Sequence, residues 1–141
     1  MSLAFIFPGQ GSQAVGMGAD LAEAFASARE VFQEVDEALG QNLSKLMREG
    51  PIEDLTLTEN TQPALMAVSL AVMRVLEKDF GVGVEKAAFV AGHSLGEYSA
   101  LAAAGAIGLA DTARLLKLRG QAMQRAVPVG EGAMASLIGP K

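Results

Sequence analysis

FVAGHSLGEY, residues Phe89–Tyr98, decides how this chain folds. It is preceded by Ala87 and Ala88, and the run Ala87–Ala91 reads as a short, fully apolar strand. Gly92-His93-Ser94-Leu95-Gly96 then fits the pattern G-x-S-x-G. After it, Leu95–Ala104 is rich in alanine and reads as a helix ended by Gly105. A strand that reverses sharply into a helix through this pattern is the context of a nucleophile elbow.

The elbow is a geometric device. The turn lifts Ser94 above the end of the sheet, and Gly92 and Gly96 relieve the crowding around it. Ser94 then lies at a helix N-terminus. The Leu95 N–H points outward there, and the helix dipole favours negative charge, so it is a candidate oxyanion donor. The plainer alternative is a serine that only caps the helix. His93 is the single histidine of the chain. It stands one position before Ser94, and neighbours in a sharp turn point in different directions. A structural or site-shaping role is expected for it rather than that of the base that takes the Ser94 proton.

Working outward, Leu3–Phe7 (LAFIF) is a second apolar run, closed by Pro8-Gly9, and reads as a buried strand. The loop Pro8–Gly18 (PGQGSQAVGMG) follows. Ser27-Ala28-Arg29-Glu30 has capping-box spacing, Val31, Val35 and Leu39 recur at helical spacing, and Gly40 ends that element. Leu43–Arg48 is expected to form a short helix before Gly50-Pro51. Thr61-Gln62-Pro63 is expected to open the longest helix, with Thr61 as cap and Pro63 in the first turn. That helix runs to about Phe80, is apolar all round in its first turns, and should be buried. Asp111 is expected to cap a helix from Thr112 to about Ala126, with Arg114, Lys117 and Arg125 available for its solvent faces. Ala133–Ile138 (AMASLI) reads as a last strand. Strands separated by helices imply an α/β layered fold with a mainly parallel sheet. The last strand stops three residues before Lys141, which leads to the expectation of a fragment or the first part of a longer protein.

Composition narrows the function. The 141 residues are 50% hydrophobic and 19% charged, which excludes a disordered chain. Eleven Lys and Arg against sixteen Asp and Glu leave a net charge of −5, with no basic cluster, so nucleic acid is not an expected partner. With no cysteine and one histidine, disulfides, cysteine catalysis and a thiolate metal site are excluded, and no metal is expected. The N-terminus lacks a basic region and a long apolar stretch, and the apolar run Pro63–Met73 is too short to cross a bilayer. The expected setting is therefore cytoplasmic, without a membrane partner.

Three further residues could carry chemistry. Gln10, in a loop that follows a strand, is placed to bring its amide N–H to the top of the sheet beside the elbow. Gln10 also lies within GQGSQA, a loose match to the dinucleotide fingerprint. That reading needs a second strand ending in an acidic residue about 20 positions on, where Ser27–Leu39 reads as helix, so it is set aside. Arg119, beside Gly120, could ion-pair within the fold or clamp a carboxylate bidentately. From the residues alone the structural pairing is the stronger expectation. Gln62 and Glu97 read as ordinary helix-start and surface residues.

Together these segments resemble the malonyl-CoA:acyl carrier protein transacylases, the acyltransferases of fatty acid and polyketide synthesis. The matching stretches are Phe5–Gly18 (FIFPGQGSQAVGMG), Thr58–Leu65 (TENTQPAL), Ala91–Gly105 (AGHSLGEYSALAAAG), Leu115–Gln124 (LLKLRGQAMQ) and Gly132–Gly139 (GAMASLIG). The resemblance implies an α/β-hydrolase-like core over residues 1–130. Residues 131–141 would then be the first strand of an inserted ferredoxin-like subdomain. It implies Ser94 as the nucleophile that accepts malonyl from coenzyme A and passes it to the phosphopantetheine thiol of acyl carrier protein, in ping-pong order. Gln10 and the Leu95 N–H would form the oxyanion hole. Arg119 would bind the malonyl carboxylate, with Gln62 and His93 beside the substrate. No cofactor is implied, since coenzyme A and phosphopantetheine belong to the substrates. The family's catalytic histidine lies downstream of the LRG motif and beyond Lys141, so the isolated chain is expected to be inactive.

Two rival readings share the same elbow. A serine thioesterase or esterase would deliver the acyl group to water and has no need of Arg119. A non-enzymatic fragment that only docks carrier protein would leave Ser94 unmodified.

Overall fold

Parallel pairing of two strands requires a long crossover between them, and helices fill it here. The computed structural model describes residues 2–128, 130–132 and 139. Strand β1 (Ala4–Phe7) pairs in parallel with β2 (Phe89–Gly92), Ala4 facing Phe89 and Phe7 facing Gly92. Between them lie α1 (Ala19–Ala24), α2 (Ala26–Leu39), α3 (Leu43–Glu49), α4 (Ile52–Thr56), α5 (Thr58–Phe80) and a single 3₁₀ turn at Val84–Lys86. After β2 come α6 (Gly96–Ala103) and α7 (Leu109–Ala126). The fold is mixed α/β with a small parallel sheet, as the alternation of strand and helix predicts.

The sheet is not buried on both sides, contrary to the expectation from its continuous apolar runs. Strand side chains alternate between faces. Phe5, Phe7 and Val90 share one face and pack with Met73 of α5 and Ala100 of α6. The other face carries Ile6 and Phe89, which are 79% and 71% exposed. Two-sided apolar strands belong to sheets covered on both faces; among the described residues only one face is covered.

The main core lies among the helices. Ala28, Val31, Phe32 and Val35 form the inner stripe of α2. They meet the buried run Ala64–Ala67 of α5, Leu43 and Met47 of α3, Leu55 of α4, Leu95, and Ala113 and Leu116 of α7. Gly40 and Gly81 end α2 and α5 at φ 58° and 67°, the left-handed conformation that closes a helix. No described helix is long and apolar enough to cross a membrane.

Several helix starts differ from expectation, and the expected caps lie inside their helices with other partners. Ser27 does not cap α2, which begins at Ala26; its hydroxyl donates to Asp79 Oδ2 at 2.5 Å. Helix α5 begins at Thr58, so Pro63 lies inside it, and the Thr61 hydroxyl donates back to the Leu55 carbonyl at 2.5 Å. Helix α7 begins at Leu109, and Asp111 pairs with Arg114 at 3.0 Å in its first turn. Lys117 is not on a solvent face. Its ammonium donates to Gln41 Oε1 and Asn60 Oδ1, both at 2.9 Å, and lies 3.4 Å from Glu59 Oε2, tying α7 to the end of α2 and the start of α5. The short helices α1 and α4 carry too little periodic pattern to be read in advance. The expected strand Ala133–Ile138 lies outside the described residues.

Leu116 of α7 is fully buried in the main core, whereas Leu118 is 56% exposed. Leu116→Ala should lower unfolding free energy by about 2–5 kcal/mol, and Leu118→Ala by less than about 0.5 kcal/mol. Urea denaturation of the two variants measures both; equal losses would contradict this packing.

Candidate active site

Strand β2 ends at Gly92 and α6 starts at Gly96, and the chain reverses in between. Ser94 sits at φ 55°, the one described non-glycine residue with positive φ. A serine held there costs on the order of 1–3 kcal/mol, so the surroundings must fix it. They do so by backbone contact. A Cβ on Gly92 would run into the Gly96 carbonyl and Glu97 N, and one on Gly96 would run into the Phe7 and Pro8 carbonyl oxygens. His93 N–H donates to the Phe7 carbonyl at 3.1 Å, and Gly96 N–H to the His93 carbonyl at 2.9 Å. The Leu95 side chain is fully buried and pins the start of α6. Among the described residues no acceptor is bonded to the Leu95 N–H.

Helix α7 brings a guanidinium to this turn. Arg119 Nη2 donates to Ser94 Oγ at 3.2 Å, and Arg119 Nη1 donates to Gln62 Oε1 at 2.7 Å. The Arg119 Cζ lies 5.7 Å from the centre of the Tyr98 ring. Gln62 is fully buried in α5, and its amide N–H meets Met123 Sδ at 3.2 Å. This approach depends on Gly120, where a Cβ would fall 2.5 Å from Glu59 Cα and 2.7 Å from the Thr58 carbonyl oxygen. Arg119 therefore has neutral partners only; among the described residues no carboxylate pairs with it. A half-buried, uncompensated guanidinium directed at a serine hydroxyl is suited to hold an anionic group beside that serine.

The other two candidates sit differently. Gln10 is exposed, and its amide N–H lies 3.5 Å from Thr58 Oγ1, too long for more than a weak bond. Its loop rests on the elbow, since a Cβ on Gly9 would meet the His93 carbonyl oxygen at 2.9 Å as well as His93 Nδ1. The exposed His93 ring thus lies against Gly9 and makes no hydrogen bond to Ser94. A hollow of about 480 Å³ lies between α1, α2 and α3, lined by Met17, Phe32 and Met47 among others; Ser94, Gln62 and Arg119 do not line it. Among the described residues no three His, Cys, Asp or Glu side chains are grouped to hold a metal.

Residues 4–139 match the model of the acyl transferase domain. The chain belongs to the acyl transferase domain family. It is 52% identical over 136 residues to a malonyl CoA-acyl carrier protein transacylase of Escherichia coli (strain K12), covering 96% of this chain and 43% of that protein. It superposes on an acyl-carrier-protein-S-malonyltransferase from Bartonella henselae with TM-score 0.89 and 63% identity, over 92% of this chain and 41% of that one. A malonyl-transacylase solved in complex with a type II PKS acyl-carrier protein matches with TM-score 0.84 and 48% identity, over 91% and 40%. The chain thus spans less than half the length of these relatives.

Within this acyl transferase portion, three neighbours of the site escape the sequence reading: Tyr98, Gly120 as a contact point, and Met123. A signal for one of them exists: Met123 follows Arg119 by four positions in α7, the spacing that stacks side chains on one helical face. Gln62 carries its own signal, a polar residue inside an otherwise buried run. Its burial corrects the expectation of an ordinary helix-start residue.

The strain at Ser94 is testable without any substrate. Ser94→Gly and Ser94→Ala both remove the hydroxyl, but only glycine is at ease at φ 55°. Ser94→Gly should be more stable than Ser94→Ala by about 1 kcal/mol, read from thermal or urea unfolding. The reverse order would mean that the turn is not held in this conformation.

Proposed function

We propose that this chain supplies the nucleophile and the carboxylate clamp of a malonyl-CoA:acyl carrier protein transacylase. The contact of Arg119 with both Ser94 and Gln62 carries the reading, because it sets a fixed positive charge beside a strained serine. Similarity to a malonyl CoA-acyl carrier protein transacylase and an acyl-carrier-protein-S-malonyltransferase supports the choice of substrates.

In this mechanism Arg119 takes the free carboxylate of malonyl-CoA and releases Ser94 Oγ as it does so. Ser94 Oγ attacks the thioester carbonyl. The oxyanion is held by the Leu95 N–H, with the Gln10 amide as second donor once it leaves Thr58. Coenzyme A departs as its thiol, leaving malonyl on Ser94. The phosphopantetheine thiol of acyl carrier protein then attacks the ester, and Ser94 is regenerated, which is ping-pong exchange. His93 shapes the turn and does not take the proton, because its ring faces Gly9. Arg119 cannot take it either, since a guanidinium has no acceptor. The resemblance to the transacylases implies a histidine from outside these 141 residues as the base. Coenzyme A and phosphopantetheine enter as parts of the substrates, and no prosthetic group is invoked. The compartment proposed is the cytoplasm, in keeping with the use of coenzyme A thioesters.

Intact-mass measurement after exposure to malonyl-CoA tests this. The chain extended to the length of its relatives should gain one malonyl group, lose it to acyl carrier protein, and gain none as Ser94→Ala. The 141-residue chain alone should acylate far more slowly. Arg119→Ala should reduce the preference for malonyl over acetyl by about 10–100-fold, the worth of hydrogen bonds to a charged group. Release of malonate to water with no transfer would favour a thioesterase, and no adduct on the extended chain would overturn the proposal.

A further inference from the structure

Arg119 is held on three sides, and the third side has no role in the mechanism above. Gln62 Oε1 and Ser94 Oγ each accept one N–H, and the face of Tyr98 lies 5.7 Å from the guanidinium carbon. Tyr98 stands in the first turn of α6, its N–H bonded to the Leu95 carbonyl at 3.0 Å, and its half-buried side chain packs against the main core. The ring is therefore fixed to the same helix start that carries the elbow, while Arg119 comes from α7. An arginine side chain has many rotamers to lose, and once Ser94 Oγ is released the hydrogen bond to Gln62 alone would leave its swing free. An acidic partner would stop the swing but would also neutralise the charge. An aromatic face attracts a cation without cancelling it.

We propose that Tyr98 is a positioning residue of the carboxylate site: its ring holds the Arg119 guanidinium in reach of the acyl group bound at Ser94, and so sets the preference for acyl thioesters that carry a second, free carboxylate. This rests on the reading of Arg119 as the clamp. The ring face does the work, so the phenol oxygen is dispensable.

The test is calorimetric binding of dethia analogues of malonyl-CoA and acetyl-CoA, in which a methylene replaces the thioester sulfur and no transfer occurs, to the 141-residue chain. Tyr98→Leu and Tyr98→Met should each weaken the malonyl analogue about fivefold and leave the acetyl analogue unchanged. Tyr98→Phe should match the unsubstituted chain. With Arg119→Ala already in place, Tyr98→Leu should have no further effect on the malonyl analogue. A malonyl preference that survives both Leu and Met, or is lost in Phe, overturns the proposal alone. Equal weakening of both analogues also overturns it, since that is the mark of a packing role. No malonyl preference in the unsubstituted chain, or a preference that survives Arg119→Ala, overturns the clamp reading and the proposal with it.

Discussion

The start of α6 touches the end of β1 backbone to backbone, with no side chain between them. Gly96 lies under the carbonyls of Phe7 and Pro8, and Gly92 lies under the carbonyl of Gly96. Any Cβ in either place would separate helix from sheet. Much of the site follows from this contact. The chain has three residues, His93 to Leu95, in which to turn from strand to helix, and Ser94 takes positive φ. The same contact leaves Ser94 exposed and Leu95 buried, because the reversal turns consecutive side chains to opposite sides. The loop after β1 is drawn onto the turn as well, which brings Gly9 against His93.

A second close approach completes the arrangement. Gly120 lets α7 lie on the first turn of α5, and the Lys117 network with Gln41, Asn60 and Glu59 locks the crossing. The residue next to that glycine then falls within reach of the elbow. Arg119 reaches Ser94 because two helices meet at a point where one has no side chain, and Gln62 reaches Arg119 because it starts from the fully buried side of α5. Rigid elements, rather than a loop, fix the guanidinium, which favours precise placement.

What could be read from residues alone follows the strength of local rules. The elbow was legible because G-x-S-x-G between a strand and a helix is a backbone demand, and backbone demands are local. The α2 stripe and its Gly40 stop were legible for the same reason. Helix starts were not, because the helices begin before Ser27, Thr61 and Asp111, whose side chains turn instead to Asp79, the Leu55 carbonyl and Arg114. The exposed face of the sheet could not be foreseen either, since a continuous apolar run reports what a strand is suited to and not what covers it. Arg119 shows the limit most clearly. Its neighbours in sequence favour a structural ion pair, yet its partners in space are an amide, a hydroxyl and a ring.

That choice of partners has a consequence for selectivity. A guanidinium with a built-in carboxylate would have to break an ion pair before it could bind another, and the exchange would yield little net preference. One left with no partner at all would be costly to keep half-buried. Gln62, Ser94 and Tyr98 lie between these limits: they satisfy the donors of Arg119 while leaving its charge in place. Of the three, Ser94 is the partner most readily given up, because its bond is the longer of the two and its oxygen faces solvent. On the reading proposed for Arg119, an arriving carboxylate would displace the serine first and free its hydroxyl.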